Sequence, residues 1–224
     1  MSKSILLLGL TSTRGRSGKD TLIEELTKQG HVVHRVAFGD VLKEQAAIDM
    51  ANPEVFSSEE LLEFFHTDAK DHEMPGLTID NLPEGDYKSF LLANGHEPHA
   101  LRTPRWHLQQ YGTEYRRVHL GNPNVWLNEG LKKIKEVPMG TTVVVVTDLR
   151  QRNEYIALSN LNEQGFMARL VRIQRMWFVE GVDDAEFHQT DLDLIGFYMN
   201  AVVLNEWGQQ AAMVTQLREQ GVDV

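Results

Sequence analysis

Ser4-Ile5-Leu6-Leu7-Leu8-Gly9-Leu10 leads through a short connection to Gly15-Arg16-Ser17-Gly18-Lys19-Asp20-Thr21. That stretch opens directly into Leu22-Ile23-Glu24-Glu25-Leu26-Thr27-Lys28. An apolar run, a glycine-containing loop with one lysine, and a helical pattern follow one another. This is the layout of a phosphate-binding loop. The first turn of a helix carries unpaired N–H groups and a partial positive charge. Glycine lets backbone approach an anion closely, and successive N–H groups wrap it. Lys19 adds a full charge on a long stem. Gly15, Ser17, Gly18, Lys19, Asp20 and Thr21 are therefore the candidate phosphate-binding residues.

The match to the general pattern is incomplete. That pattern has Gly where Thr13 stands and Ser or Thr where Asp20 stands. Gly9 serves as its first glycine only if the loop is longer than usual. Thr21 offers a hydroxyl one position late. Asp20 suits the positive end of a helix but repels bare phosphate, a conflict that eases if it helps hold magnesium. The alternative is a plain Gly/Ser turn before an ordinary helix.

Further along, Val- and Leu-rich stretches at 4–10, 32–38, 141–147, 167–173 and 201–204 read as five strands. Thr141-Thr142-Val143-Val144-Val145-Val146-Thr147 is the clearest, since an unbroken Val run suits a parallel strand covered on both faces. Helical patterns at 153–164 and 206–220 lie between or after strands. The expectation is an α/β domain over 1–224, a five-stranded parallel sheet flanked by helices. Ligands would then lie at the carboxyl ends of the strands.

Between the second and third strands the chain runs for about a hundred residues, too long for a plain crossover. A helical and loop-rich insert is expected at about 39–135. Residues 41–51 read as a helix, Ser57-Ser58-Glu59-Glu60 opens another with a serine cap, and 66–97 reads as loop-rich. Thr103-Pro104 starts a helix over 105–119. There Leu108, Tyr111, Tyr115 and Val118 form the expected core face, with Arg105, Gln109 and Arg116 on another. A guanidinium beside an amide suits a phosphate and a base edge; an ordinary charged outer face is the alternative. Gly112 marks a possible close approach. Asp148, at the end of the Val-rich strand, is placed either to organise magnesium or to cap the next helix. Arg150, Arg175 and Asn205 follow strand ends at the same edge.

A net charge of −10 argues against a broad nucleic-acid footprint but leaves room for a small anionic ligand. With no cysteine, disulfides and thiolate chemistry are excluded. No run has the length of a membrane span and no signal-peptide pattern opens the chain, so a cytoplasmic protein without membrane partners is expected.

Taken in order, these segments resemble the phage deoxynucleoside monophosphate kinases, and more loosely the phosphomevalonate kinases of the same P-loop kinase group. The resemblance rests on Arg16-Ser17-Gly18-Lys19-Asp20-Thr21, Ala37-Phe38-Gly39-Asp40-Val41-Leu42-Lys43, and Arg105 with Leu108-Gln109-Gln110-Tyr111-Gly112-Thr113-Glu114. It continues through Trp126, Asp148-Leu149-Arg150 with Glu154, then Arg175, His188 and Asn205. It implies a P-loop kinase fold and transfer of the γ-phosphoryl of ATP to a deoxynucleoside 5′-monophosphate, with magnesium. It further implies that Lys19, Arg16, Arg150 and Arg175 serve the transfer. Lys43, Arg105, Gln109 and Arg150 hold the acceptor, and Asp20, Thr21 and Asp148 organise the metal. For a phage protein the compartment is the host cytoplasm, as a monomer or homodimer. A kinase of another phosphorylated acceptor, or an ATP-binding regulatory module without turnover, are the competing expectations.

Overall fold

Strand β1, Ile5–Thr11, is buried along nearly its whole length in the computed structural model, which describes residues 4–180, 182–183 and 192–224. It is flanked by β3, Val143–Val146, and β4, Phe166–Arg175. Outside these lie β2, Val33–Val36, and β5, Ala201–Asn205. The order is β2-β3-β1-β4-β5 and every pair is parallel. Leu6 sits opposite both Val143 and Met167. Parallel pairing puts all carboxyl ends at one edge of the sheet. The order reverses beside β1, where such sheets bind ligands.

The chain divides into two compact units, Met1–Phe38 with Gly130–Val224, and Gly39–Glu129. The first holds the sheet. Its strands alternate because successive side chains face opposite ways. Leu6, Leu8 and Leu10 pack with Val143, Val145, Val171 and Ile173. Leu22 and Leu26 of α1 (Lys19–Lys28) and Met213, Val214 and Leu217 of α8 (Ala212–Glu219) join the same cluster. Gly9 is a strand residue, opposite Val146 and Leu170, rather than part of a long loop. A Cβ there would lie 2.7 Å from Leu170 Cδ2, so the glycine answers to packing. The last helix starts at Ala212, six residues later than the 206–220 pattern suggested. Helix α7, Arg152–Ser159, gives way to a 3-10 turn over Asn160–Gln164.

The second unit is helical. It contains most of α2 (Phe38–Met50), then α3 (Ser58–His66), α4 (Asp86–Ala93) and α5 (Pro104–Gln109). Ser57 is the expected serine cap of α3, and with Glu60 it closes a capping box. α4 lies in the stretch read as loop, where the flanking Gly85 and Gly95 masked a short helix whose Tyr87, Phe90 and Leu91 are buried. Thr103 caps α5 as its sequence predicted, its hydroxyl accepting from Trp106 N–H at 3.0 Å.

Beyond Gln109 the helix widens to a π-helix over Gln110–His119. Its bonds run i to i+5, so faces computed at 3.6 residues per turn drift. Tyr111 and Tyr115 are buried as expected, but Val118 is 66% exposed. Gly112 sits at a close approach: a Cβ would meet Leu42 Cδ2 at 2.8 Å. Its carbonyl accepts from Trp126 Nε1 at 3.1 Å, which makes Trp126 a core residue. α6, Val125–Lys135, carries the chain back towards the sheet. Among the described residues, no helix is long and apolar enough to cross a membrane.

Candidate functional site

The β1–α1 loop and the ends of β4 and β5 enclose a cavity of about 340 Å3 in the sheet unit. Arg16, Ser17, Gly18, Lys19, Asp20 and Thr21 line it from the loop, with Trp177, Asn205, Trp207 and Gln210. Gly18 is the N-cap of α1 with φ 94°, a left-handed backbone suited to glycine. Arg16 also has positive φ, 54°. Among non-glycine residues this costs about 1–2 kcal/mol and is tolerated where surroundings over-determine it. Lys19 Nζ donates to Ser12 Oγ at 2.8 Å and reaches Ser17 Oγ at 3.3 Å. The lysine is thus folded back along the loop, with its charge over the head of a ten-residue helix. Helix dipole, loop amides and ammonium together can receive an anion.

Arg175, at the end of β4, has a side chain only 3% exposed. Its Nη1 and Nη2 hold the Asp183 carboxylate at 3.0 and 2.9 Å, and Nη2 also reaches Gly15 O at 3.4 Å. Arg14 donates to the Val182 and Asp183 carbonyls, each at 3.2 Å. The Val179 amide, with the Arg175 guanidinium, holds the Asp183 carboxyl below the usual carboxylate range. A second hollow of about 160 Å3, lined by Thr13, Arg14, Ser17, Arg175, Trp177 and Asp183, adjoins this pair.

Asp148 does not cap the helix after it: Gln151 is the N-cap of α7, completed by Glu154. Asp148 Oδ1 instead accepts the Phe38 N–H at 2.9 Å, tying the end of β3 to the start of α2. Arg150 is exposed, and its backbone N–H donates to Glu154 Oε2 at 2.8 Å. Asp20 is exposed and 3.5 Å from Arg35 Nε. Among the described residues no group of three or more His, Asp or Glu side chains is placed to hold a metal ion. Asp20, Thr21 and Asp148 each offer a side-chain oxygen, the donor type that magnesium takes.

The remaining candidates lie in the helical unit. Arg105 forms a forked pair with Asp71, Nη2 to Oδ2 at 3.0 Å, and holds that carboxyl below its usual range. Gln109 is exposed. Arg116 turns instead to Tyr111 Oη at 2.9 Å and to the Asp49 carboxylate at 3.8 Å. The expected Arg105–Gln109–Arg116 face is therefore divided, because the π-helix brings residue i to i+5. Lys43 Nζ lies 3.3 Å from Asp40 Oδ1 and 3.2 Å from His66 Nδ1. His188 lies outside the described residues.

Trp177 and Trp207 escaped the sequence reading as site residues. Their signal was a matched offset: each stands two residues after a strand end, and those ends, Arg175 and Asn205, are register partners. The indoles meet edge to face, ring centroids 5.4 Å apart, and Trp207 is 79% exposed. A large exposed aromatic lining the cavity beside the loop can offer a flat surface for stacking. Asp71 and Asp183 were also missed, since nothing local marks an acid that pairs with a distant arginine.

A scan against protein-family models finds no match to this chain, and a search of the curated proteins finds none either.

Proposed function

We propose that this chain is a P-loop kinase of the phage deoxynucleoside monophosphate type, passing the γ-phosphoryl group of ATP to a deoxynucleoside 5′-monophosphate. The observation that carries the reading is the head of α1. There Gly18 in left-handed conformation, Lys19 folded over Ser12 and Ser17, and the indole of Trp207 line one cavity. Phosphates suit the loop end of that cavity, and a flat base suits the indole.

In this reading a non-bridging oxygen of the acceptor phosphate forms the new P–O bond. The β–γ bridging bond breaks, and ADP leaves with its electron pair. Little covalent chemistry falls to the protein, and positioning with charge neutralisation does most of the work. Gly15, Ser17 and Gly18 cradle the donor phosphates with backbone N–H groups, and Lys19 neutralises the oxygens that gain charge. Arg16 and Arg175 supply further positive charge at the same edge. Arg150 contacts the acceptor phosphate, with Lys43, Arg105 and Gln109 assigned to acceptor recognition. Asp20, Thr21 and Asp148 would hold magnesium directly or through water, and the ion would shield the phosphate charges. The reading places the protein in the cytoplasm, with small-molecule partners.

The test is ADP release with ATP and magnesium across the deoxy- and ribonucleoside monophosphates. Acceptor-dependent release with at least one deoxynucleotide is expected. If ATP binds and no nucleoside monophosphate stimulates release, the reading fails, and other phosphorylated acceptors become the next candidates.

A further inference from the structure

Asn205 is the last residue of β5, 2% exposed, and polar on both arms of its amide. Its Nδ2 donates to Ser17 O at 3.0 Å, across a sequence gap of 188 residues. Among the described residues its buried Oδ1 has no hydrogen-bond partner. A carbonyl can only accept, so the amide is oriented by its contact with Ser17. A Cβ on Gly18 would lie 2.1 Å from Nδ2. The site therefore requires a bare backbone at residue 18 for the amide to reach past it.

We infer that Asn205 is a positioning residue that sets the direction of the Ser17–Gly18 peptide and so prepares the loop for phosphate. In a planar trans peptide the C=O and the following N–H point in opposite directions. No peptide bond here is cis. With the Ser17 carbonyl drawn to β5, the Gly18 N–H is turned to the opposite side, away from Asn205. Freed of the amide, the carbonyl has no tether and can rotate inward, placing an acceptor where an anion needs a donor. The orphaned Oδ1 fits this account. Buried polar atoms are rarely left unpaired, and those that are need an explanation. Here the amide holds an orientation that satisfies the loop and leaves its own oxygen unpaired. This inference rests on the phosphate reading of the loop, but not on the identity of the acceptor.

Two nearly isosteric variants separate orientation from packing. Asn205→Leu removes the donor without adding charge, and Asn205→Asp keeps the shape but can only accept. The probe is inorganic tripolyphosphate with the full chain, titrated by calorimetry, with melting temperature recorded without ligand. Both variants are expected to raise the Kd roughly tenfold or more, the scale of one lost hydrogen-bond arrangement. The drop in affinity should exceed anything the change in melting temperature accounts for. A measurement on the unaltered chain stands even if both variants fail to fold. In nuclear magnetic resonance, the Gly18 amide should shift strongly and exchange more slowly when tripolyphosphate is added. Wild-type affinity in both folded variants, or a Gly18 amide indifferent to tripolyphosphate that does bind, overturns the inference and leaves the phosphate reading standing. Failure of the unaltered chain to bind tripolyphosphate removes the phosphate reading and this inference with it.

Discussion

We predict that His107 makes the helical unit lose stability as the pH falls below 6.5. The side chain is fully buried, its Nε2 2.8 Å from Leu77 O and its Nδ1 3.2 Å from Tyr87 Oη. Since a carbonyl only accepts, Nε2 carries the proton and Nδ1 is bare. Protonating Nδ1 would put a charge among Tyr87, Trp106 and the nearby Arg102. Burial first, and the Arg102 charge after it, push the imidazole down to about 4, against a gain from the Leu77 bond. The unfolded chain titrates near 6.5. Between these values the unfolded state binds more protons, so stability is full above pH 6.5 and is lost as the pH falls towards 4. The whole effect is about 3 kcal/mol, and about 2 kcal/mol of it is gone at pH 5. Urea unfolding at pH 7 and pH 5, followed by the fluorescence of Trp106 and Trp126, measures it. The comparison is with His107→Gln, which removes the titration. Other groups contribute equally to both proteins, so the difference between the two pH responses isolates the imidazole. The variant is expected to be less stable at pH 7 and to lose about 2 kcal/mol less on going to pH 5. Equal losses in the two proteins would falsify the account of His107 as a buried neutral base.

Four further outcomes are expected. Lys19→Ala should lower kcat by roughly 100- to 1000-fold, the scale of one lost transition-state donor, in a steady-state ADP-release assay; unchanged turnover contradicts its assignment. Arg105→Ala should mainly raise the KM for the monophosphate. Asp71→Asn should lower it by releasing the guanidinium from its present partner, and a rise on Asp71→Asn would mean that the pair itself makes the site. Trp207→Ala should weaken ATP binding by roughly tenfold while leaving tripolyphosphate unaffected, because stacking acts on the base alone; equal effects on both ligands would place the indole elsewhere in the mechanism.

Much of the architecture was legible because it is written in local patterns. The unbroken Val143–Val146 run announced a strand covered on both faces, and it lies next to the centre of a parallel sheet. The Gly18-Lys19 pair marked where β1 gives way to α1. Ser57 with Glu60, and Thr103 before Pro104, marked helix starts through hydrogen bonds spanning only three residues. The face of the 105–119 helix was read less well, because its register assumed 3.6 residues per turn. The π-helical turns, accommodated around Gly112, Leu42 and Trp126, sent Arg116 to Tyr111 and exposed Val118.

The sequence by itself marked the five strands, several helix starts and the loop at the head of α1. Each follows from periodicity, from backbone preference, or from capping within one turn of chain. Only the tertiary structure decided which partner each charged or polar side chain takes. Arg105 with Asp71, Arg175 with Asp183, Asp148 with the Phe38 amide and Asn205 with Ser17 each join residues between 8 and 188 positions apart. A guanidinium or an amide accepts any well-placed oxygen, so residue type alone leaves the partner open. Sheet order and helix packing choose it, by bringing one acceptor within reach and carrying the others away.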